Sequence, residues 1–209
     1  MAKLLYIEAS PRKERSASIE VSKVFLDTYA ATHHGDRIEK IDLWSLPLPE
    51  FNGNVLDAKY AVLHGDQHTP EQAKAWGDVV DMFEQFKSAD KYVISLPMWN
   101  FSIPYKLKHY IDVISQPGLA FSYTSDEGYK GLVTGRPVTV IYARGGEYQS
   151  GSGAEAYDLQ RRYMELWLGF IGFVNIRSII VEPMLYAPEV VASAKEIAKD
   201  MAIAIAEHF

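Results

Sequence analysis

The sequence contains no cysteine, and this absence excludes several kinds of chemistry. Without a thiol, the chain forms no disulfide bond and no thiolate metal site, and it has no cysteine nucleophile. A chain without cysteine fits a reducing compartment. Positive charge is also scarce, since 21 lysines and arginines stand against 27 acidic residues and give a net charge of −6. We therefore expect no nucleic acid partner and no binding to an anionic membrane surface.

Long apolar runs are absent too. The most apolar segment, residues 166–174, has about half the length that a membrane-spanning helix needs. The first residues lead at once into a strand-like run and lack the pattern of a secretory signal. These absences predict a cytoplasmic protein. With 209 residues, of which 48% are hydrophobic and 23% charged, the chain is expected to form a single domain over residues 1–209.

What the sequence does contain is an alternation of strand-like and helix-like segments. The strand-like runs cover residues 4–8, 37–43, 91–96, 137–142 and 176–182. Helical patterns fill the intervals, with a short helix at 57–63 and longer ones that begin near Ser16, Pro70, Pro104, Asp158 and Pro188. Such alternation predicts an α/β fold, a three-layer sandwich in which helices cover both faces of a parallel sheet of five strands.

Finer patterns within these segments predict their surroundings. The run at 37–43 alternates polar and apolar residues, so we expect an edge strand there. Residues 119–123 also alternate and precede a turn signal at 125–128, which predicts a β-hairpin excursion. In the last two helices, the apolar spacing predicts two buried stripes, namely Leu159, Tyr163, Leu166, Trp167 and Phe170, and Val190, Ala194, Ile197, Met201 and Ile205.

The loop after the first strand, residues 10–18, is rich in hydroxyl groups. It carries Ser10, Ser16 and Ser18 and leads into a helix, whose first amides and positive end attract a phosphate. Arg12 and Arg15 add positive charge nearby. Taken alone, the loop is equally consistent with an ordinary serine-capped helix that follows a solvated basic turn.

The loop after the third strand, residues 97–104, is rich in aromatic and other apolar side chains. Met98, Trp99 and Phe101 lie where no local structure requires large apolar groups, and Asn100 between them can donate and accept hydrogen bonds along a ring edge. A hydrophobic plug over the end of the sheet is the alternative. The prolines on both sides of the triplet favour a surface that binds a flat heteroaromatic ring.

A third loop, Arg144, Gly145 and Gly146, follows the fourth strand, and its glycines allow the backbone to approach a ligand closely. If the sheet order is 2-1-3-4-5, all three loops lie at the carboxyl ends of the strands, where open α/β sheets bind ligands. A phosphate site beside a ring site predicts a phosphorylated planar cofactor, and FMN is the simplest candidate. The two amides of the glycines would then contact a carbonyl of the ring.

Two other patterns carry less information. His64 and His68 are four residues apart, but no third ligand accompanies them, and we predict no metal site. Glu155 and Asp158 are expected to be surface charges.

The motifs S-P-R-x-x-R-S-x-S, P-M-W-N-F-S-I-P and A-R-G-G together resemble the FMN-dependent NADH azoreductases, also called FMN-dependent NADH:quinone oxidoreductases. This resemblance covers nearly the whole chain and implies a flavodoxin-like fold and a homodimer with FMN in clefts at the subunit interface. The resemblance assigns the phosphate to Ser10, Ser16, Ala17 and Ser18. It assigns the isoalloxazine ring to Met98, Trp99, Asn100 and Phe101. The pyrimidine edge of the ring is assigned to Ala143, Arg144, Gly145 and Gly146.

The sequence departs from the family pattern at two of these positions. Trp99 stands where the family usually has Tyr and adds stacking area. Ala143 stands where the family usually has Ser and removes one hydroxyl from the cofactor site.

The resemblance implies a two-electron reductase in which NADH or NADPH reduces quinones and azo compounds in a ping-pong cycle. The hydride passes through the flavin, so no side chain is expected to act as an obligatory acid or base. The sequence does not choose between the two nicotinamide donors. Two alternatives stay open, a one-electron carrier of flavodoxin type and an interaction protein on the same fold without flavin.

Overall fold

The structure, a computed structural model, describes residues 1–67 and 69–209. Its strands are β1 (Lys3–Glu8), β2 (Arg37–Asp42), β3 (Lys91–Pro97), β4 (Phe121–Thr124), β5 (Gly128–Gly131), β6 (Pro137–Ala143) and β7 (Asn175–Val181). Its helices are α1 (Ala17–Thr32), α2 (Gly53–His64), α3 (Pro70–Lys87), α4 (Tyr105–Ile114), α5 (Leu159–Ile171) and α6 (Pro188–Ala206). Within the described ranges no helix has both the length and the apolar character needed to cross a membrane.

The main sheet contains five parallel strands in the order β2-β1-β3-β6-β7. Because β6 and β7 are its fourth and fifth strands along the chain, the predicted order 2-1-3-4-5 is confirmed. β4 and β5 form a separate antiparallel hairpin, as the alternation at 119–123 predicts. The strand order reverses between β1 and β3, which places the ligand crevice of this fold at their carboxyl ends.

The residues of each central strand alternate between two hydrophobic cores. Leu4 and Tyr6 face the layer of α1 and α6, whereas Leu5 and Ile7 face the layer that contains α3, α4 and α5. This alternation follows from the two-residue period of a strand. With apolar residues on both faces, β1 is buried throughout its last five residues, as expected for a strand inside a parallel sheet. β2 is only partly buried and lies at the edge, so that prediction is also confirmed.

The buried face of α6 differs from the predicted one. Its buried residues are alanines spaced by four, Ala194, Ala198, Ala202 and Ala206. Small side chains allow a helix to approach the sheet closely, and the larger Ile197 and Met201 remain exposed on another side. The predicted stripe was therefore wrong at Val190, Ile197 and Met201, whereas Ala194 is buried and Ile205 is partly buried against the core. Hydrophobicity alone ranks isoleucine and methionine above alanine.

The prediction for α5 was also wrong in part. Trp167 is buried, but Leu159 and Leu166 are exposed, and Leu166 retains 72% of its accessible surface. The helix also buries Gln160, Met164, Leu168 and Ile171. The predicted residues do form one helical stripe, but part of that stripe faces away from the sheet.

Two backbone segments touch where the β4–β5 hairpin meets the end of α5. A Cβ atom on Gly131 would lie 2.3 Å from the backbone nitrogen of Gly172, the residue that caps α5. The Val133 amide also donates to the carbonyl of Ile171 at 2.8 Å. Only a glycine at position 131 permits this contact, and the contact joins the hairpin to the core.

We predict that Gly131→Ala lowers the free energy of unfolding by about 3 kcal/mol, because two backbone segments must separate to admit the methyl group. The measurement is urea denaturation followed by circular dichroism. Gly77→Ala is the matched control, since a Cβ atom there meets nothing within 4 Å and the position lies within α3. It should raise the free energy of unfolding by up to about 1 kcal/mol. Equal effects of the two substitutions would contradict the prediction.

Candidate active site

The three loops singled out in the sequence lie around one cleft of about 350 Å³. The cleft is at the carboxyl ends of β1, β3 and β6, on both sides of the point where the strand order reverses. Eight predicted site residues line it, namely Ser10, Ser16, Ala17, Met98, Trp99, Ala143, Arg144 and Gly145. Predicted residues outside its lining are Ser18, Asn100, Phe101 and Gly146.

The hydroxyl end of the cleft is formed by the start of α1. Ser16 occupies the N-cap position, but its side chain accepts no hydrogen bond from the helix. Its Oγ lies 3.1 Å from Oγ of the buried Ser18. The first amides of α1 are therefore left without a capping side chain at the positive end of a helix of 16 residues. An anion with several oxygen atoms would supply the acceptors that this helix end needs.

Three cationic side chains line the same end of the cleft. Arg12 and Arg15 come from the serine-containing loop, and Lys195 comes from α6. Nζ of Lys195 lies 2.7 Å from Oε2 of Glu20, whose other oxygen accepts from Lys199 at 2.9 Å. Burial alone would raise the pKa of Glu20, but the hydrogen bonds from both lysines outweigh burial and lower it. The sequence analysis missed Lys195, because nothing local places α6 beside a loop that precedes it by 180 residues.

The aromatic loop contains a strained turn. The amide of Trp99 donates to the carbonyl of Ser102 at 3.0 Å, and the amide of Ser102 donates back at 2.9 Å. Between them Asn100 and Phe101 have φ values of 48° and 69°. A two-residue turn with both φ values positive is a type I′ turn, which usually contains glycine or asparagine. A phenylalanine in this conformation is unusual, and such strain is concentrated at functional sites.

Trp99 lies in the cleft wall and packs against two other aromatic rings. Its ring centroid is 5.8 Å from that of Trp44 and 6.2 Å from that of Tyr105. Nε1 of Trp44 also donates to the carbonyl of Ala9 at 3.0 Å. Trp44 thus contacts both the end of β1 and the aromatic loop, and it restricts the position of Trp99. Sequence analysis missed Trp44, although a tryptophan directly after an edge strand at this end of the sheet was an available signal.

Asn100 and Phe101 lie next to the cleft but do not face it. Asn100 lines a neighbouring groove of about 720 Å³ together with Tyr105 and Tyr163. Phe101 is half-exposed and its ring centroid lies 5.2 Å from that of Tyr157. Trp99 is shared by the groove and the cleft, so one indole ring forms a wall between the two cavities.

In the glycine loop, residues 144–146, the side chain of Arg144 is held in ion pairs outside the cleft, so a ligand would contact Arg144 through its backbone. Its guanidinium is fully buried, with Nη1 at 3.0 Å from Asp158 Oδ2 and 3.4 Å from Glu182 Oε2. The prediction that Asp158 is a surface charge was wrong, since it is buried and also accepts from the amide of Arg161 in α5. Arg144 therefore fixes the loop by joining it to the start of α5 and the end of β7.

The next residue, Gly145, is covered by the segment that follows β7. Its carbonyl accepts from the amide of Leu185 at 3.0 Å, and a Cβ atom would lie 2.7 Å from Cδ1 of Leu185. Met184 and Leu185 both line the cleft, and the sequence analysis did not anticipate them. Within the described residues, the amides of Gly145 and Gly146 make no backbone hydrogen bond, so both remain available to an acceptor.

Of the two histidines singled out in the sequence, His64 does not line the cleft. His64 is the last residue of α2 and its ring centroid is 6.1 Å from that of Tyr60. His68 lies outside the described residues.

We predict that Phe101→Gly is about 1 kcal/mol more stable to urea than Phe101→Ala, because glycine adopts the positive φ without strain. Both substitutions remove the ring, so their difference isolates the backbone. Glu84, exposed within α3, provides the control, where glycine should be about 1 kcal/mol less stable than alanine. If the glycine variant were less stable than the alanine variant at both positions, the turn would store no strain.

Comparison with known proteins adds the family to this geometry. A family model described as a flavodoxin-like fold matches residues 2–205. An FMN-dependent NADH:quinone oxidoreductase of Desulfotalea psychrophila is 55% identical over 185 residues, which cover 88% of this chain and 87% of that protein. One of the same name from Nitratidesulfovibrio vulgaris is 52% identical, with 93% of each chain covered.

Solved structures agree with the relatives in sequence. An azoreductase of Bacillus anthracis superposes with a TM-score of 0.92 at 29% identity, with 100% of both chains covered. An FMN-dependent NADH-azoreductase of the same species, solved in complex with FMN, gives a TM-score of 0.87 at 32% identity and covers 99% of this chain and 100% of its own. The chain therefore belongs to the family of FMN-dependent NADH:quinone oxidoreductases and azoreductases, which has the flavodoxin-like fold.

Proposed function

We propose that the protein is an FMN-dependent reductase that uses NADH to reduce quinones and azo compounds. The observation that carries this proposal is the meeting of three different surfaces in one cleft. An uncapped helix start fits a phosphate, an indole wall fits a flat ring, and free glycine amides fit a ring carbonyl. The names of the relatives supply the cofactor, the donor and the two classes of acceptor.

The residues of the cleft fit FMN at both ends. Ser10 and Ser16 offer hydroxyl donors at the start of α1, and Arg12, Arg15 and Lys195 offset the charge of a phosphate dianion. Met98 and Trp99 provide apolar area for the ring system. We propose that the buried Ser18 supports the site from behind and that the exposed Asn100 and Phe101 act beside it, since none of them lines the cleft.

Bound FMN would supply the hydride acceptance and donation that no side chain of this protein provides. The protein's own contribution is to bind and orient. The amide of Gly145, which lines the cleft, and that of Gly146 next to it would hold negative charge on a ring carbonyl, and the buried Arg144 keeps their loop in place. Since one cleft gathers all these groups, we propose that NADH and the acceptor enter it in turn, which gives a ping-pong cycle. A cytoplasmic site of action, where NADH is available, stays a prediction.

We further propose that the protein is a homodimer in which the second subunit covers the aromatic loop. The proposal is supported by exposed apolar side chains, of which Tyr105 and Tyr157 lie against that loop and Leu159 and Leu166 lie on α5. The groove beside Trp99, lined by Tyr105 and Tyr163, opens next to them. Several large apolar side chains exposed near a cleft favour an interface there.

We predict that the purified protein binds FMN, and that anaerobic NADH bleaches the flavin absorbance fully in a stopped-flow trace. Benzoquinone added next should restore the oxidised spectrum without accumulation of a one-electron-reduced species. A long-lived one-electron-reduced spectrum would contradict the reductase and favour an electron carrier. Failure to bind FMN would favour an interaction protein without flavin.

We also predict that Leu166→Arg shifts the protein from dimer to monomer in sedimentation velocity, because it places a charge in the proposed interface. Val174→Arg is the matched control, since Val174 is 89% exposed and lies at the other end of the sheet, next to the start of β7. It should leave the dimer unchanged. A Leu166→Arg variant with the sedimentation coefficient of the wild type would exclude Leu166 from the interface and contradict the prediction.

A further inference from the structure

Lys13 lies in the middle of the loop formed by residues 10–18, which we term the serine loop, and its backbone is strained. Its φ is 49°, in the left-handed region that a residue with a Cβ atom rarely adopts. Lys13 also begins a short 3-10 turn, Lys13–Arg15, that leads to Ser16. A lysine held in this conformation needs contacts elsewhere that compensate for the strain.

Those contacts are two carboxylates at the ends of neighbouring strands. Nζ of Lys13 lies 2.8 Å from Oε1 of Glu8 and 2.6 Å from Oδ1 of Asp42. Glu8 ends β1 and Asp42 ends β2, and the two residues are paired in the sheet. Glu8 is almost fully buried, and its second oxygen accepts from Lys40 at 2.6 Å. The ammonium group of Lys13 is thus held against the rigid end of the sheet.

The charges of this cluster stabilise one another. Burial alone would lower the pKa of Lys13, but the hydrogen bonds to Asp42 and Glu8 outweigh burial and raise it. Burial alone would raise the pKa of Asp42, but the hydrogen bonds from Lys13 and Ser45 outweigh burial and lower it. Both groups therefore remain charged around neutral pH.

The backbone of Lys13 links this ion-pair cluster to the candidate phosphate site. Its carbonyl accepts the amide of Ser16 at 2.9 Å, and Ser16 is the N-cap of α1. Lys13 itself is not among the residues that line the cleft, whereas its neighbours Arg12, Arg15 and Ser16 are. The side chain thus acts on the loop from outside the cleft.

We propose that Lys13 is a positioning residue for the phosphate of FMN, because its ammonium, held between Glu8 and Asp42, fixes the serine loop so that Ser16 and the first amides of α1 face the phosphate. This inference rests on the proposed function and adds a residue that acts on the phosphate alone. The isoalloxazine end of the cleft is formed by other loops. It is linked to Lys13 through Asp42, whose Oδ1 also accepts from the amide of Trp44, and riboflavin binding reports any effect by that route.

The first experiment compares binding of FMN and riboflavin to Lys13→Met, by quenching of flavin fluorescence. Riboflavin lacks the phosphate, so it reports on the ring end alone. We expect the dissociation constant for FMN to rise about tenfold, as for other residues that orient a binding group, while that for riboflavin changes less than about twofold. Lys23→Met is the matched control, because it removes the same charge from an exposed position on α1 and should change neither constant. Lys13→Arg should restore much of the FMN affinity.

A second variant separates positioning from simple attraction between Lys13 and the phosphate. Glu8→Gln with Asp42→Asn leaves the positive charge in place and removes two negative charges near the loop. If Lys13 acted only by its charge, this variant would bind FMN more tightly than the wild type. If the two carboxylates hold Lys13 in place, it should bind FMN more weakly. This variant also decides the matter if Lys13→Met does not fold.

Three results would overturn the inference. Unchanged FMN affinity in Lys13→Met would do so, as would an equal loss of FMN and riboflavin, which would indicate general damage to the fold. Tighter FMN binding in the double variant would also do so. In each of these cases the wild type still binds FMN, so the proposed function stands. A wild type that binds neither flavin would instead reject both.

Discussion

Parallel pairing of β1, β3 and β6 determines where the groups of the candidate site lie. Their hydrogen bonds continue past the strands, since the Ala9 amide donates to Ser95 and the Met98 amide donates to Ala143. The serine, aromatic and glycine loops therefore leave the sheet side by side, one strand spacing of about 4.8 Å apart. A helix start, an indole ring and free amides can then contact one ligand, although the first and last of these groups are more than 100 residues apart in sequence.

Each of the three loops is held by a contact that lies outside the cleft. The serine loop is held through Lys13 and the aromatic loop through Trp44, whereas the glycine loop is held through the buried guanidinium of Arg144. These contacts join each loop to the end of a neighbouring strand or to the start of a helix. A site whose parts are fixed before a ligand arrives loses less conformational freedom on binding. The strained backbone at Phe101 is consistent with this arrangement, because strain persists only where the surroundings enforce it.

Much of the fold and the meeting of the three loops at one cleft could be predicted from the sequence, because strands of a parallel sheet have strong apolar runs and their order constrains the loops. What the sequence did not provide is which stripe of a helix faces inward. In α5 and α6 two stripes were available, and the buried ones contain Gln160 and small alanines, which no hydrophobic ranking selects. Long-range ion pairs such as Arg144 with Asp158 and Lys195 with Glu20 were also not visible, since each depends on packing between distant segments.

The aromatic packing around the cleft has an optical consequence. The chain has four tryptophans, and two of them, Trp44 and Trp99, lie in contact at the site. A ligand that absorbs in the near ultraviolet or blue and lies beside Trp99 would accept excitation energy from both indoles. The protein's intrinsic emission is therefore a label-free reporter of cleft occupancy, with Trp76 and Trp167, in the core that contains α3, α4 and α5, contributing the rest of the emission.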